Sequence, residues 1–135
     1  MSKLLQRLSD PKRSGVYRAS RTDDIVEATR GSPLDVARID ASGEPIRAIA
    51  AALAFPDWFG GNWDALEDSL SDLSWRKAKG HVLLLEGVAA AGDAGILVDV
   101  LRAAAEHWTG QRVSFFAVLI DPQRKLDLPD LYREA

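Results

Sequence analysis

His81-Val82-Leu83-Leu84-Leu85-Glu86 and Val113-Ser114-Phe115-Phe116-Ala117-Val118-Leu119-Ile120 are the two most apolar runs of the chain. Near-continuous runs of this kind, without polar alternation, are the mark of strands buried on both faces, as in a parallel sheet. Asp121-Pro122 stops the second run. Between the two lie a small-residue loop from Gly87 to Gly92 and a helical pattern carrying Ile96, Leu97, Val100, Leu101, Ala104 and Trp108. Asp93 is placed to cap that helix at its start and Gly110 at its end.

Reading back toward the N-terminus, Lys77-Ala78-Lys79-Gly80 precedes the first run. Asn62 is a good N-cap for a helix running to about Leu73, with Leu66, Leu70 and Leu73 as its apolar stripe. Ile46, Ile49, Ala50 and Leu53 fall at helical spacing, which predicts a helix over 45–54 with Pro45 in its first turn and Pro56 beyond its end. Val36–Asp40 reads as a strand, followed by a Ser42-Gly43 turn. Thr22, followed by Asp23 and Asp24, predicts a short helix ending near Gly31, where Pro33 blocks continuation. Val16–Ser20 reads as one more strand.

The order β-α-β-α-α-β-α-β predicts an α/β layered fold, a small, mostly parallel sheet flanked by helices, with an N-terminal extension. A single domain is expected over 15–122. Turn chemistry at Asp10-Pro11-Lys12-Arg13-Ser14-Gly15 sets off residues 1–14 as a flexible N-terminal arm. Residues 123–135, with two prolines and alternating charge, read as a peripheral C-terminal tail.

The chain has 135 residues, 17 Lys and Arg against 20 Asp and Glu, and no cysteine. The length suits one compact domain. Disulfides, thiolate metal sites and cysteine nucleophiles are excluded. The net charge of −3 and the absence of a Lys/Arg cluster longer than Lys12-Arg13 argue against direct nucleic-acid binding. No apolar run is long enough for a membrane span, and the first residues lack the apolar stretch of a secretory signal, so a cytoplasmic location is expected. His81 and His107 belong to no catalytic motif, and there is no P-loop, G-x-S-x-G or H-E-x-x-H. Neither an enzyme nor a cofactor is expected.

Residues 55–75 carry the functional signal. Of ten aromatics in the chain, Phe55, Trp58, Phe59 and Trp63 fall within nine residues. From Ala48 to Trp75 there is no Lys or Arg, while Asp57, Asp64, Glu67, Asp68 and Asp72 are all acidic. At 100° per residue the leucines of this helix lie on one side and Asp64, Asp68 and Asp72 on the other, at i, i+4 and i+8. Like charges at that spacing cost a few tenths of a kcal/mol per pair, about 0.2–0.5. A helix selected for stability alone would interleave lysines. A solvated acidic face is the plain alternative. Large aromatics bordering the acids give the composition of a protein-binding hot spot instead. Core packing is expected for Phe55 and part of Trp63. Mg²⁺ held by the three aspartates is a further alternative, and calorimetry with Mg²⁺ discriminates it.

Pro56-Asp57-Trp58-Phe59-Gly60-Gly61-Asn62-Trp63-Asp64-Ala65-Leu66-Glu67-Asp68-Ser69-Leu70 resembles the signature of the barstar family of ribonuclease inhibitors. The pattern is a proline, two aromatics, a glycine and Asn-x-Asp-Ala-Leu-x-Asp, and the element order resembles that family's from about Val36 to Ile120. The resemblance implies a protein that binds and blocks a cytotoxic, barnase-like ribonuclease, or a related basic toxin; a monomer is expected when it is free. It places Trp58 and Phe59 at the aromatic contact positions and Asn62, Asp64, Ala65 and Asp68 at the helix contacts, with Asp68 as the main anion at the site of the substrate phosphate. Trp63 and Glu67 belong to the same surface but depart from the family's pattern, where a smaller aliphatic residue and a large aromatic stand. The implied second acidic contact has Asp93 as its candidate. The alternative reading is an immunity or interaction module on the same scaffold for a different cationic protein.

Overall fold

The computed structural model describes residues 2–88 and 92–133. In chain order these form α1 (Lys3–Leu8), a 3₁₀ turn (Pro11–Arg13), β1 (Gly15–Ala19), α2 (Asp23–Thr29), β2 (Leu34–Asp40), α3 (Pro45–Ala52), α4 (Trp63–Leu70), β3 (Gly80–Glu86), α5 (Ala94–Gly110) and β4 (Ser114–Ile120). The expected loop at 87–92 falls, at 89–91, outside the described residues, as do the last two residues of the expected tail.

The four strands make one all-parallel sheet in the order β1-β4-β3-β2. The two apolar runs are its two central strands, β3 and β4, and every residue from Gly80 to Leu85 and from Ser114 to Leu119 is buried. A parallel sheet needs helices on both faces, and the alternation of side chains along β3 separates two cores. Leu83 and Leu85 face the larger one, with Ile49, Leu53, Leu66, Leu70, Leu97, Leu101 and Phe115. Val82 and Leu84 face the smaller one, with Leu8, Ile25, Phe116, Val118 and Leu131. Thus α3, α4 and α5 cover one face of the sheet, joined there by Leu126 and Leu128, and α1, α2 and the end of the C-terminal segment at Leu131 cover the other.

Close approaches hold the strands in register. A Cβ on Gly80 would stand 2.0 Å from Ser114 Oγ, its register partner. After β3, Gly87 turns the chain at φ +81, and a Cβ there would stand 2.6 Å from Ser42 Cβ. Only glycine meets both conditions without moving the neighbouring chain.

The chain ends differ from the sequence reading. The expected flexible arm contains α1, started by Ser2, whose hydroxyl accepts from Leu5 N–H at 3.0 Å, and Leu8 is fully buried. The expected peripheral tail runs beside β1: Arg18 N–H donates to Pro129 at 2.8 Å and Leu131 N–H donates to Arg18 at 2.9 Å. Leu131 is fully buried, and the buried Arg18 guanidinium pairs with Asp130 and donates to the Asp121 carbonyl at 2.8 Å. Short polar segments show no long periodicity, so their docking depends on the uncovered sheet face and not on local pattern.

Three caps also differ. Thr22 precedes α2 without a side-chain cap bond, and Asp93 does the same for α5. Gly110 is the last residue of α5, and the turn beyond it is made by Arg112 at φ 60.

Candidate functional site

The helix α4 is shorter than the leucine spacing predicts. It ends at Leu70, with Ser71 N–H donating to Glu67 and both Asp72 and Leu73 N–H donating to Ser69. Leu73 takes φ 46 and is still buried, so the third leucine reaches the core through a turn. Asp72 therefore lies beyond the helix, and the expected three-rung aspartate ladder has two helical rungs, Asp64 and Asp68. Among the described residues no three His, Asp or Glu side chains come together to hold a metal ion.

Both ends of α4 are tied down. Asn62 Oδ1 accepts from Ala65 N–H at 2.7 Å, satisfying one of the free donors of the first turn. At the other end Trp108 of α5 donates its indole N–H to the Leu70 carbonyl at 2.7 Å. Leu66 and Leu70 are fully buried in the larger core. With its ends capped and its apolar side packed, α4 presents Asp64, Glu67 and Asp68 to solvent. Among the described residues no cation pairs with any of these three, nor with Asp57 or Asp72. The sequence-derived penalty between Asp64 and Asp68 is therefore offset by no ion pair among the described residues.

The loop before α4 divides its aromatics between support and exposure. Phe59 is half-buried and meets Phe55 edge to face at 4.9 Å; Phe55 in turn meets Trp75 at 5.7 Å. Trp75 is held by its indole N–H, which donates to the Leu53 carbonyl at 2.9 Å. Trp58 stands over this platform, 6.3 Å from Trp75, and is 68% exposed, the largest exposure of any large hydrophobic side chain described. Leaving an indole in water forgoes about 2 kcal/mol or more of burial. Gly61, at φ 76, turns the chain from the loop into the cap. Ala65 is half-buried, and a Cβ on Gly60 would lie 3.5 Å from its methyl.

Trp63 is half-buried against the larger core. With Phe59, Gly61, Glu44, Arg47 and Asp93 it lines a cleft of about 380 Å³ between the loop and the start of α3. Trp58, Phe59, Asn62, Trp63, Asp64, Ala65, Glu67 and Asp68 all lie on the loop and α4 and none of them is buried, and Asp93 lines the same cleft as Phe59 and Trp63. The sequence reading gave Trp75 no role and counted Trp108 only among the apolar positions of its helix. Both act by donating an indole N–H to a carbonyl, that of Leu53 and that of Leu70, and nothing local signals those partners.

A part-buried polar cluster lies behind Trp108. Asp35 of β2 accepts from Arg76 Nε at 2.8 Å and Nη2 at 2.6 Å, and lies 3.2 Å from His81 Nδ1. A carboxylate only accepts, so Nδ1 of neutral His81 carries the proton. The His81 ring lies 5.3 Å from that of Trp108, so this group also backs the residue that ties down α4. Burial drives the His81 pKa down, and the Asp35 carboxylate only partly offsets it. Burial pushes the Asp35 pKa up, but the hydrogen bonds from Arg76 and then His81 outweigh it, so the net shift is down.

Both groups bind protons more weakly folded than unfolded, so stability falls with acid. The His81 part is complete above its ordinary value of 6.5 and is lost as pH falls below it toward the folded pKa. The Asp35 part is lost below 3.8. Melting curves are expected to show a lower Tm at pH 5 than at pH 7.5, and His81→Gln is expected to flatten that difference. An equal pH slope in both proteins would exclude His81 as its source.

A sequence model of the Barstar family, described as barstar (barnase inhibitor), matches residues 32–120. The chain belongs to the Barstar family. Neither a curated relative nor a solved structure matches it. The matched residues contain β2, α3, α4, β3, α5 and β4, hence the whole of the loop and acidic helix. The family is one of inhibitors and not of enzymes. The elements α1, β1 and α2 and the C-terminal segment lie outside the match.

Proposed function

We propose that this Barstar-family protein inhibits a cytotoxic, barnase-type ribonuclease by inserting the loop and helix at residues 56–72 into its active site. The carrying observation is the set of carboxylates on α4 that no described cation pairs with, on a helix tied at both ends beside the exposed Trp58. A ribonuclease site built for a phosphodiester is cationic, and a carboxylate on a fixed helix accepts charge-assisted hydrogen bonds from it. Because α4 is already ordered, little conformational entropy remains to be lost on binding. Asp68 takes the phosphate position, Asp64 flanks it, and Trp58 and Phe59 form the aromatic border, with Asn62, Trp63, Ala65 and Glu67 completing the contact.

The test is titration of a guanyl-preferring microbial ribonuclease with the protein. Stoichiometric loss of RNA cleavage is expected. No inhibition at micromolar protein would remove the ribonuclease as target. Association is also expected to slow as salt rises from low ionic strength through about 0.15 M, where the screening length is about 8 Å. Stopped-flow fluorescence of the interfacial tryptophans reads this directly, and a salt-independent rate would contradict electrostatic steering.

A second reading rests on Trp63. Its indole forms part of a cleft with Glu44, Arg47 and Asp93, a mixed-charge surface that a different cationic protein could fill. On that reading the scaffold and the acidic helix serve an immunity module for another toxin. Capture of a basic protein by the wild type but not by Asp68→Ala, without inhibition of the ribonuclease, distinguishes it.

A further inference from the structure

The residues outside the family match build a second charged surface. Between Ser2 and Arg18 there are five cations, Lys3, Arg7, Lys12, Arg13 and Arg18, and one acid, Asp10. Folding separates them. Arg18 goes into the interior against Asp130, while Lys3, Arg7 and Arg13 line an open cleft of about 590 Å³ together with Arg133 from the C-terminal segment. Leu4 and Tyr132 supply its apolar wall, and the Tyr132 hydroxyl is fixed by donating to Asp24 at 2.9 Å.

Among the described residues, four cationic side chains thus surround one concavity whose only carboxylate is that of Asp10. Asp10 cannot neutralise them. It accepts from Lys12 N–H at 3.0 Å and reaches Arg13 only at 3.8 Å. Among the described residues no acid pairs with Lys3, Arg7 or Arg133. Like charges brought together without a counter-charge repel, and the chain gathers these from two distant segments. The cleft belongs to the α1 side of the sheet, and α4 to the other, so a partner seated on α4 leaves it open.

We propose that this cleft binds a small ligand carrying adjacent phosphate groups, of the nucleoside diphosphate class. Three guanidinium forks and an ammonium match the bidentate acceptor geometry and concentrated charge of linked phosphates. A single carboxylate would leave most of the cationic charge uncompensated. The half-buried Leu4 and the fixed Tyr132 ring give an apolar flank for the remainder of the ligand.

Calorimetry on the full-length protein tests this with pyrophosphate, ADP, adenosine and a glutamate-rich peptide as separate titrants. Saturable binding of pyrophosphate and ADP is expected, with none for adenosine. Arg133→Gln, at an exposed position, is expected to weaken ADP binding at least tenfold; the double variant Arg7→Gln/Arg133→Gln is expected to abolish it. Arg102→Gln, on α5 across the sheet, is expected to bind as wild type does. No heat from either phosphate at millimolar concentration, or an Arg133→Gln protein that binds normally, overturns the proposal. So does equal affinity for the glutamate-rich peptide, which would make the cleft a docking place for acidic protein segments. None of these outcomes depends on whether α4 inhibits a ribonuclease.

Discussion

Asp68→Ala is expected to weaken the complex with the ribonuclease by about 2–5 kcal/mol, the range for truncating one partner of a buried interfacial charge pair, barnase complexes among them. In the free protein Asp68 is exposed and unpaired on a capped helix, so its removal costs the free fold little. In the complex the same carboxylate would be desolvated against the cations of a phosphate-binding site. Deleting it leaves those cations buried without a partner, and the cost of unpaired burial exceeds that of a lost surface contact. Asp72 gives the contrast. It carries the same charge, but it lies past the end of α4 in the turn before Leu73. As a rim charge it contributes to steering, and Asp72→Ala is expected to cost about 1 kcal/mol or less. Surface-immobilised binding kinetics with the two variants measures both. Equal losses would mean that bulk negative charge, and not a plug built on α4, does the work.

Leu131→Ala is expected to destabilise the fold by about 2–5 kcal/mol, the usual range for emptying a fully buried leucine site. Leu131 is 0% exposed and packs in the smaller core with Leu8, Ile25 and Phe116. Its own N–H donates to the Arg18 carbonyl, so the side chain anchors a segment that also runs along the edge of β1. Losing that anchor would expose an unpaired strand edge. Lys125→Ala, an exposed position on the same segment, is expected to fall within about 0.5 kcal/mol of wild type. Urea unfolding of the three proteins gives the comparison. A Leu131→Ala protein as stable as wild type would show that the C-terminal segment adds nothing to the fold.

The central strands and the acidic helix were legible because their signals are local. Six buried residues from Gly80 to Leu85 need no distant information to be read as an interior strand. The N-cap at Asn62 and the run of acids after it state where α4 begins and which side stays wet. The end of α4 was not legible. Leu73 fits the helical period and is buried, yet it reaches the core with a left-handed backbone, so spacing alone assigned Asp72 to a helix face it does not share.

By itself the sequence determined the parallel α/β architecture, the family and the composition of the loop and acidic helix, since apolar runs, caps and the order of residues at 56–70 are properties of neighbouring positions. Tertiary structure alone decided which ends of the chain are covered and what holds α4 in place. Leu8 and Leu131 are far apart in the chain and become neighbours only because the second face of a parallel sheet must be shielded from water. Trp108 acquires its role only when α5 lies beside α4 and its indole N–H meets the Leu70 carbonyl. Burial and hydrogen bonding between distant segments are set by the packed chain, and no window of sequence contains both partners.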